Sequence, residues 1–141
     1  MEKQIYLIVG LGNPGRQYHN TRHNTGFILI DHLVQEFKLR LNKMQFNAIT
    51  GTMDLDDSRC ILAKPQTFMN LSGQSVAGLL RFYKIPLEQL LVVHDDIDLP
   101  IGTLRIRPGG GAGGQKGLAS TIERLGTQDF PRMRIGIGRP S

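Results

Sequence analysis

The chain has 141 residues, 40% hydrophobic and without tryptophan, which suits one soluble α/β domain with a single core. No apolar run approaches the ~18–20 residues of a membrane span, so no membrane partner is expected, and the lone Cys60 excludes an internal disulfide framework. The net charge of +5 is unevenly placed: residues 102–141 carry Arg105, Arg107, Lys116, Arg124, Arg132, Arg134 and Arg139 against Glu123 and Asp129, while acids and bases balance elsewhere. Such asymmetry points to a polyanionic partner, with a solvated basic face as the plain alternative.

Met1-Glu2-Lys3-Gln4 leads directly into a strand, with no signal peptide in view, and the cytoplasm is the expected compartment. Gln4–Val9 is apolar, β-branched and aromatic, the mark of a buried strand. The loop Gly10–Gly26 that follows, GLGNPGRQYHNTRHNTG, is dense in glycine, asparagine, histidine and arginine. Asn24 or Thr25 can cap a helix whose apolar residues Phe27, Ile30, Leu33, Val34 and Phe37 recur at three and four. That helix is expected to end near Lys38–Arg40, where positive charge suits its C-terminus.

Residues 46–53 alternate weakly as a strand before a polar turn at Asp54–Ser58. Arg59–Ala63 is a second apolar strand, with Cys60 as buried bulk. Residues 65–73 form a second irregular stretch before a helix bearing Val76, Leu79, Leu80 and Tyr83, ended by Pro86. Leu90–Val93 is a short apolar strand with His94–Pro100 at its carboxyl end. Thr103–Arg107 alternates. A Gly-rich loop, Pro108–Gly117, opens a helix carrying Leu118, Ile122 and Leu125 and closed by Gly126, and Met133–Gly138 is the last strand.

Strands alternating with amphipathic helices predict a single-domain α/β sandwich: a twisted, mostly parallel mixed sheet flanked by helices. Segments 46–53 and 103–107 are the expected antiparallel or edge members. Ligands in such folds collect at the carboxyl ends of strands. Loops 10–26, 65–73 and 94–100 all leave such ends.

Two glycine motifs invite a nucleotide reading. Gly10-Leu11-Gly12-Asn13-Pro14-Gly15 satisfies GxGxxG, but a dinucleotide site needs a helix beginning within the glycines, and here polar residues run on through Arg22. Gly109–Gly117 lacks the P-loop hydroxyl after its lysine, leaving a flexible anion-binding loop or a plain hinge.

A histidine is a suitable general base when an acceptor holds its other ring nitrogen. His23 with Asp95 is the favoured pair; Asp96 and Asp98 are alternatives, Asp98 being better suited to shaping the turn before Pro100. His19, His32 and His94 compete for the base. Asn13, Asn24 and Asn70 supply amides able to orient a carbonyl or stabilise its oxyanion, although Asn13-Pro14 is also good turn chemistry and Asn24 a good N-cap. No serine or cysteine stands out as a nucleophile, which favours an activated water.

Taken in order, GLGNPGRQYHNTRHNTG, FMNLSGQSV, HDDIDLPIG, GGGAGGQKGL and FPRMRIGIGRP resemble bacterial-type peptidyl-tRNA hydrolase over essentially the whole chain. The resemblance implies hydrolysis of the ester joining a peptide to the 3′ end of tRNA, by a monomer, with no metal or organic cofactor. It implies His23 as base and Asp95 as its orienting carboxylate, with Asn13 and Asn70 holding the substrate. Met69 would line the peptide side, Tyr18 and Phe68 would lie near the cleft, and Arg107 and Arg134 would meet tRNA phosphates. A non-catalytic RNA-binding member of the same fold, similar to plant organelle splicing factors, is the alternative.

Two departures accompany the resemblance. Where the family often reads Gly-Gly-His-Asn-Gly, this chain has Gly113-Gly114-Gln115-Lys116-Gly117, so Lys116 replaces a substrate-contacting asparagine and could favour an acceptor-end phosphate instead. Family members also continue past the position of Ser141 with a lid-like segment and a C-terminal helix. The expectation is therefore a domain of residues 1–141 lacking that segment.

Overall fold

A computed structural model describes residues 3–14 and 24–139. Seven strands form one mixed sheet in the order β2-β3-β4-β1-β5-β7-β6. The strands are β1 (Gln4–Gly10), β2 (Lys43–Gln45), β3 (Ala48–Asp54), β4 (Ser58–Pro65), β5 (Leu90–Asp96), β6 (Leu104–Arg107) and β7 (Arg132–Gly136). The inner four, β4, β1, β5 and β7, run parallel, and antiparallel pairings add β3 and β2 at one side and β6 at the other. The mixed sheet is as expected, with 46–53 antiparallel but one place in from the edge.

Alternation along β1 splits the core in two. Leu7 and Val9 join Ile61, Ala63, Leu90 and Val92 beneath helices α2 (Ser72–Tyr83) and α3 (Lys116–Leu125), which supply Val76, Leu79 and Leu118. Ile8 turns the other way, with Cys60 and Leu62, toward Ile30, Leu33 and Val34 of α1 (Thr25–Glu36). Each such fully buried aliphatic side chain contributes about 1.5–3 kcal/mol. Burial pushes the Cys60 thiol up to about 11, as suits an inert core residue.

The structure corrects several expectations. β2 was not foreseen: it pairs with β3 through a two-residue turn in which both Phe46 (φ 50°) and Asn47 (φ 61°) are left-handed. A phenylalanine there is uncommon; its ring, 5.7 Å from that of Phe82 and packed over Gly78, offsets the strain. β5 runs through Asp96 instead of stopping at Val93, because β7 continues the ladder opposite His94 and Asp95. α1 ends at Glu36 with no basic residue in its last turn, and α2 stops at a left-handed Lys84, two residues before Pro86.

Asn24 occupies the N-cap position of α1 without capping it. Its amide is engaged elsewhere.

A candidate active-site cleft at the carboxyl ends of the strands

The first turn of α1 lies against the ends of β1 and β5. A Cβ on Gly26 would fall 2.4 Å from the Leu11 carbonyl oxygen and 2.7 Å from that of Val93, so only glycine allows this approach. Gly10 meets the same surface: a Cβ there would fall 2.2 Å from the Gly26 oxygen. The glycines described in this loop thus serve helix-to-sheet packing, not a pyrophosphate, and α1 begins at Thr25, well past them. Asn24, buried, accepts from the Asn13 N–H at 2.7 Å through Oδ1 and donates from Nδ2 to the Asn13 carbonyl at 3.1 Å. The backbone of Asn13 is thereby fixed beside the end of β1.

Residues 65–73 cross the top of the sheet. A short 3-10 helix, Met69–Leu71, precedes α2, and the Ser72 hydroxyl donates to the Met69 carbonyl at 2.8 Å. Phe68 is 75% exposed, so it does not pack in the core. Met69 packs closely on the start of α3: a Cβ on Gly117 would lie 2.6 Å from the Met69 sulfur.

At the end of β5, three adjacent side chains take three different roles. His94 is buried, and its Nδ1 donates to the Asp95 carbonyl at 2.8 Å. A carbonyl can only accept, so this bond places the proton on Nδ1. Burial holds the imidazole below its ordinary pKa, and Nε2 has no hydrogen-bond partner among the described residues. Asp96 is committed twice: Oδ1 accepts from the Asp98 N–H at 2.8 Å and Oδ2 from Arg134 Nη1 at 3.1 Å. Asp96, not Asp98, therefore shapes the turn; Asp98 pairs with Arg139. Asp95 accepts from Gln115 Nε2 at 3.0 Å.

The Gly-rich loop is held by Arg132, which is only 2% exposed. Its guanidinium donates to the carbonyls of Gly110 (2.8 Å), Gly111 (3.3 Å), Gln128 (2.8 Å) and Phe130 (3.2 Å) and stacks on the Phe130 ring. Sequence reasoning counted Arg132 in the basic surface; its charge instead fixes the loop. In register, Arg105 lies opposite Arg134 and Arg107 opposite Arg132, a cluster of like charge. The turning of Arg132 to carbonyls and of Arg134 to Asp96 relieves it. Arg105, Arg107, Lys116 and Arg124 make no ion pair among the described residues.

These pieces surround one cleft of about 710 Å³, lined by Asn13, Phe68, Met69, Asn70, His94, Asp95, Asp96, Ile97 and the loop Ala112–Lys116. Six of the expected site residues, Asn13, Phe68, Met69, Asn70, Asp95 and Lys116, thus share one space. Arg107 and Arg134 lie outside it, on β6 and β7. His23 and Tyr18 lie outside the described residues. Gln115 is a cleft residue to which sequence reasoning gave no role, and His94, weighed there as a competing base, lines the cleft as well. Gln115 is not a favoured N-cap type, and only its contacts disclose its place.

The peptidyl-tRNA hydrolase family model matches residues 7–141. The chain belongs to that family. It is 56% identical over 136 residues to the chloroplastic peptidyl-tRNA hydrolase of Arabidopsis thaliana, covering 96% of this chain and 47% of that protein. It is 57% identical over 134 residues to the peptidyl-tRNA hydrolase of Desulforamulus reducens, covering 95% of this chain and 65% of that protein. The crystal structure of peptidyl-tRNA hydrolase from Acinetobacter baumannii superposes with a TM-score of 0.90 at 41% identity, over 100% of this chain and 72% of that one. The chain therefore spans about half of the first relative and about two thirds of the second. Relatives named as hydrolases do not favour the splicing-factor-like alternative.

Proposed function

We propose that this chain hydrolyses the ester between the peptide, or N-blocked aminoacyl group, and the 3′ end of tRNA. The observation that carries the reading is the meeting of Asn13, Met69, Asn70 and Asp95, from three separate segments of the chain, around one cleft in a chain of this family. In the proposed reaction His23 takes a proton from water, and the resulting hydroxide attacks the ester carbonyl carbon. Asp95 holds the imidazole and stabilises its protonated form. Amides of Asn13 and Asn70 bind the substrate and the oxyanion that forms. The C–O bond to the terminal ribose then breaks, His23 returns the proton to the departing oxygen, and a peptide acid and free tRNA result.

His23 immediately precedes Asn24, whose amide holds Asn13 at the cleft; this sequence adjacency supports its role. Met69 would face the peptide, Phe68 and Tyr18 would flank it, and Lys116, exposed at the rim, would meet substrate on the α3 side. Arg107 would contact tRNA phosphates. Arg134 would do so less strongly, because Asp96 already offsets its charge. No metal or organic cofactor is required by this chemistry. One chain supplies every proposed group, which supports a monomer. The cytoplasm is the compartment this reading favours, since the lone Cys60 is a free thiol, as a reducing compartment keeps it.

The test is release from N-acetyl-aminoacyl-tRNA compared with unblocked aminoacyl-tRNA. Release from the blocked substrate alone, lost in His23→Ala, is expected; RNA binding without release would overturn the reading.

A further inference from the structure

Gln115 joins three parts of the cleft. Its Oε1 accepts from the Leu118 N–H at 2.7 Å, which caps α3, while Nε2 lies 3.0 Å from Asp95 Oδ1 and 3.5 Å from the Met69 sulfur. The direction of the amide is fixed by its partners. A backbone N–H can only donate and a carboxylate can only accept, so oxygen must face Leu118 and nitrogen must face Asp95.

We propose that Gln115 is a positioning residue: by donating from Nε2 to Asp95 Oδ1 it sets the rotation of that carboxylate and presents the second oxygen to the base. The proposal rests on the hydrolase reading above. A donor held on one oxygen limits the swing of a carboxylate about its Cβ–Cγ bond, and a base oriented by a steadier acceptor spends more time in its reactive geometry. Gln115 is itself anchored at Leu118, so the first turn of α3 becomes the reference against which Asp95 is aligned. Its amide bears no ionisable proton, so the link holds throughout the pH range in which a histidine base works. A donor to an ionised group in a partly enclosed site is a stronger bond than one between neutral groups.

Capping and positioning can be separated by substitution. Gln115→Glu keeps an acceptor for the Leu118 N–H and adds a negative charge at a helix N-terminus, where it is favourable, but it removes the N–H facing Asp95 and sets a carboxylate there. Gln115→Ser keeps capping ability and is too short to reach Asp95. The expected results on blocked aminoacyl-tRNA are a kcat lower by about 10-fold for Gln115→Ser and about 100-fold for Gln115→Glu. KM should stay within about twofold, and thermal midpoints should not fall.

A Gln115→Glu variant with wild-type kcat, or one in which KM rises while kcat holds, would overturn the proposal; the second result would make Gln115 a substrate contact. If wild type itself releases nothing, the hydrolase reading fails, and the link is then read by NMR. Asp95→Ala is expected to move the Gln115 side-chain N–H signals, and unmoved signals would overturn the link itself.

Discussion

Asn24 holds Asn13 by both ends of one amide, its Oδ1 on the Asn13 N–H at 2.7 Å and its Nδ2 on the Asn13 carbonyl at 3.1 Å. A residue that looked like a helix cap thus fixes the backbone of a cleft residue on the far side of the loop. Asn24→Ala leaves a backbone N–H without its partner, and urea unfolding should show a loss of about 1–3 kcal/mol. Asn24→Asp keeps the acceptor and loses only the donor, so its loss should be smaller. Equal stability of Asn24→Ala and wild type would contradict this role.

His94 gives the fold a pH dependence of definite sign. Burial depresses its pKa below the ordinary 6.5, aided by Arg132 and opposed by the hydrogen bond to the Asp95 carbonyl and by the Asp95 and Asp96 charges. Between the folded and unfolded values the unfolded chain binds more protons, so unfolding free energy rises with pH there. Stability from this group is complete above about pH 6.5 and is lost as pH falls through the folded value, by at most about 1.4 kcal/mol per pH unit. Urea unfolding from pH 7.5 to 5 should show a shallower slope for His94→Gln than for wild type. Equal slopes would contradict the assignment.

Cys60, 4% exposed with its thiol pushed up to about 11, should resist alkylation. Iodoacetamide at pH 8 is expected to modify the native chain at least about 100-fold more slowly than the chain in urea. Comparable rates would mean that the α1 face of the sheet opens readily.

The basic edge is expected to act through β6. Arg107→Gln should weaken tRNA binding and reduce the salt slope of log K by about one, the signature of one phosphate contact. Lys116→Asn should reduce the slope similarly if Lys116 meets an acceptor-end phosphate. An unchanged slope in either variant removes that residue from the phosphate contacts.

Much of this architecture is legible in the sequence because the inner parallel strands are covered on both faces. Leu7-Ile8-Val9, Cys60-Ile61-Leu62 and Leu90-Leu91-Val92-Val93 are continuous apolar runs for that reason. Strand β2, by contrast, is the short polar segment Lys43–Gln45, and its turn has an asparagine but no glycine to announce it. That Asn13, Asn70 and Asp95 line one cleft could be anticipated because each lies on a polar loop, or at its base, at a strand's carboxyl end, whereas Met69 entered only through the resemblance. Arg132 and Gln115 could not be read that way. Their roles depend on partners 20 or more residues away in sequence, Gly110 and Gly111 for one and Asp95 and Met69 for the other. Composition cannot distinguish an arginine that gathers loop carbonyls from one that meets a phosphate.

The proposed role of Asp95, to orient a base in this cleft, is tested by single-turnover release from N-acetyl-aminoacyl-tRNA with Asp95→Asn. The substitution preserves shape while removing the charge that holds a protonated imidazole. A rate lower by about 100-fold or more, with tRNA binding within about twofold of wild type, is the predicted result. A release rate close to that of wild type would contradict the account.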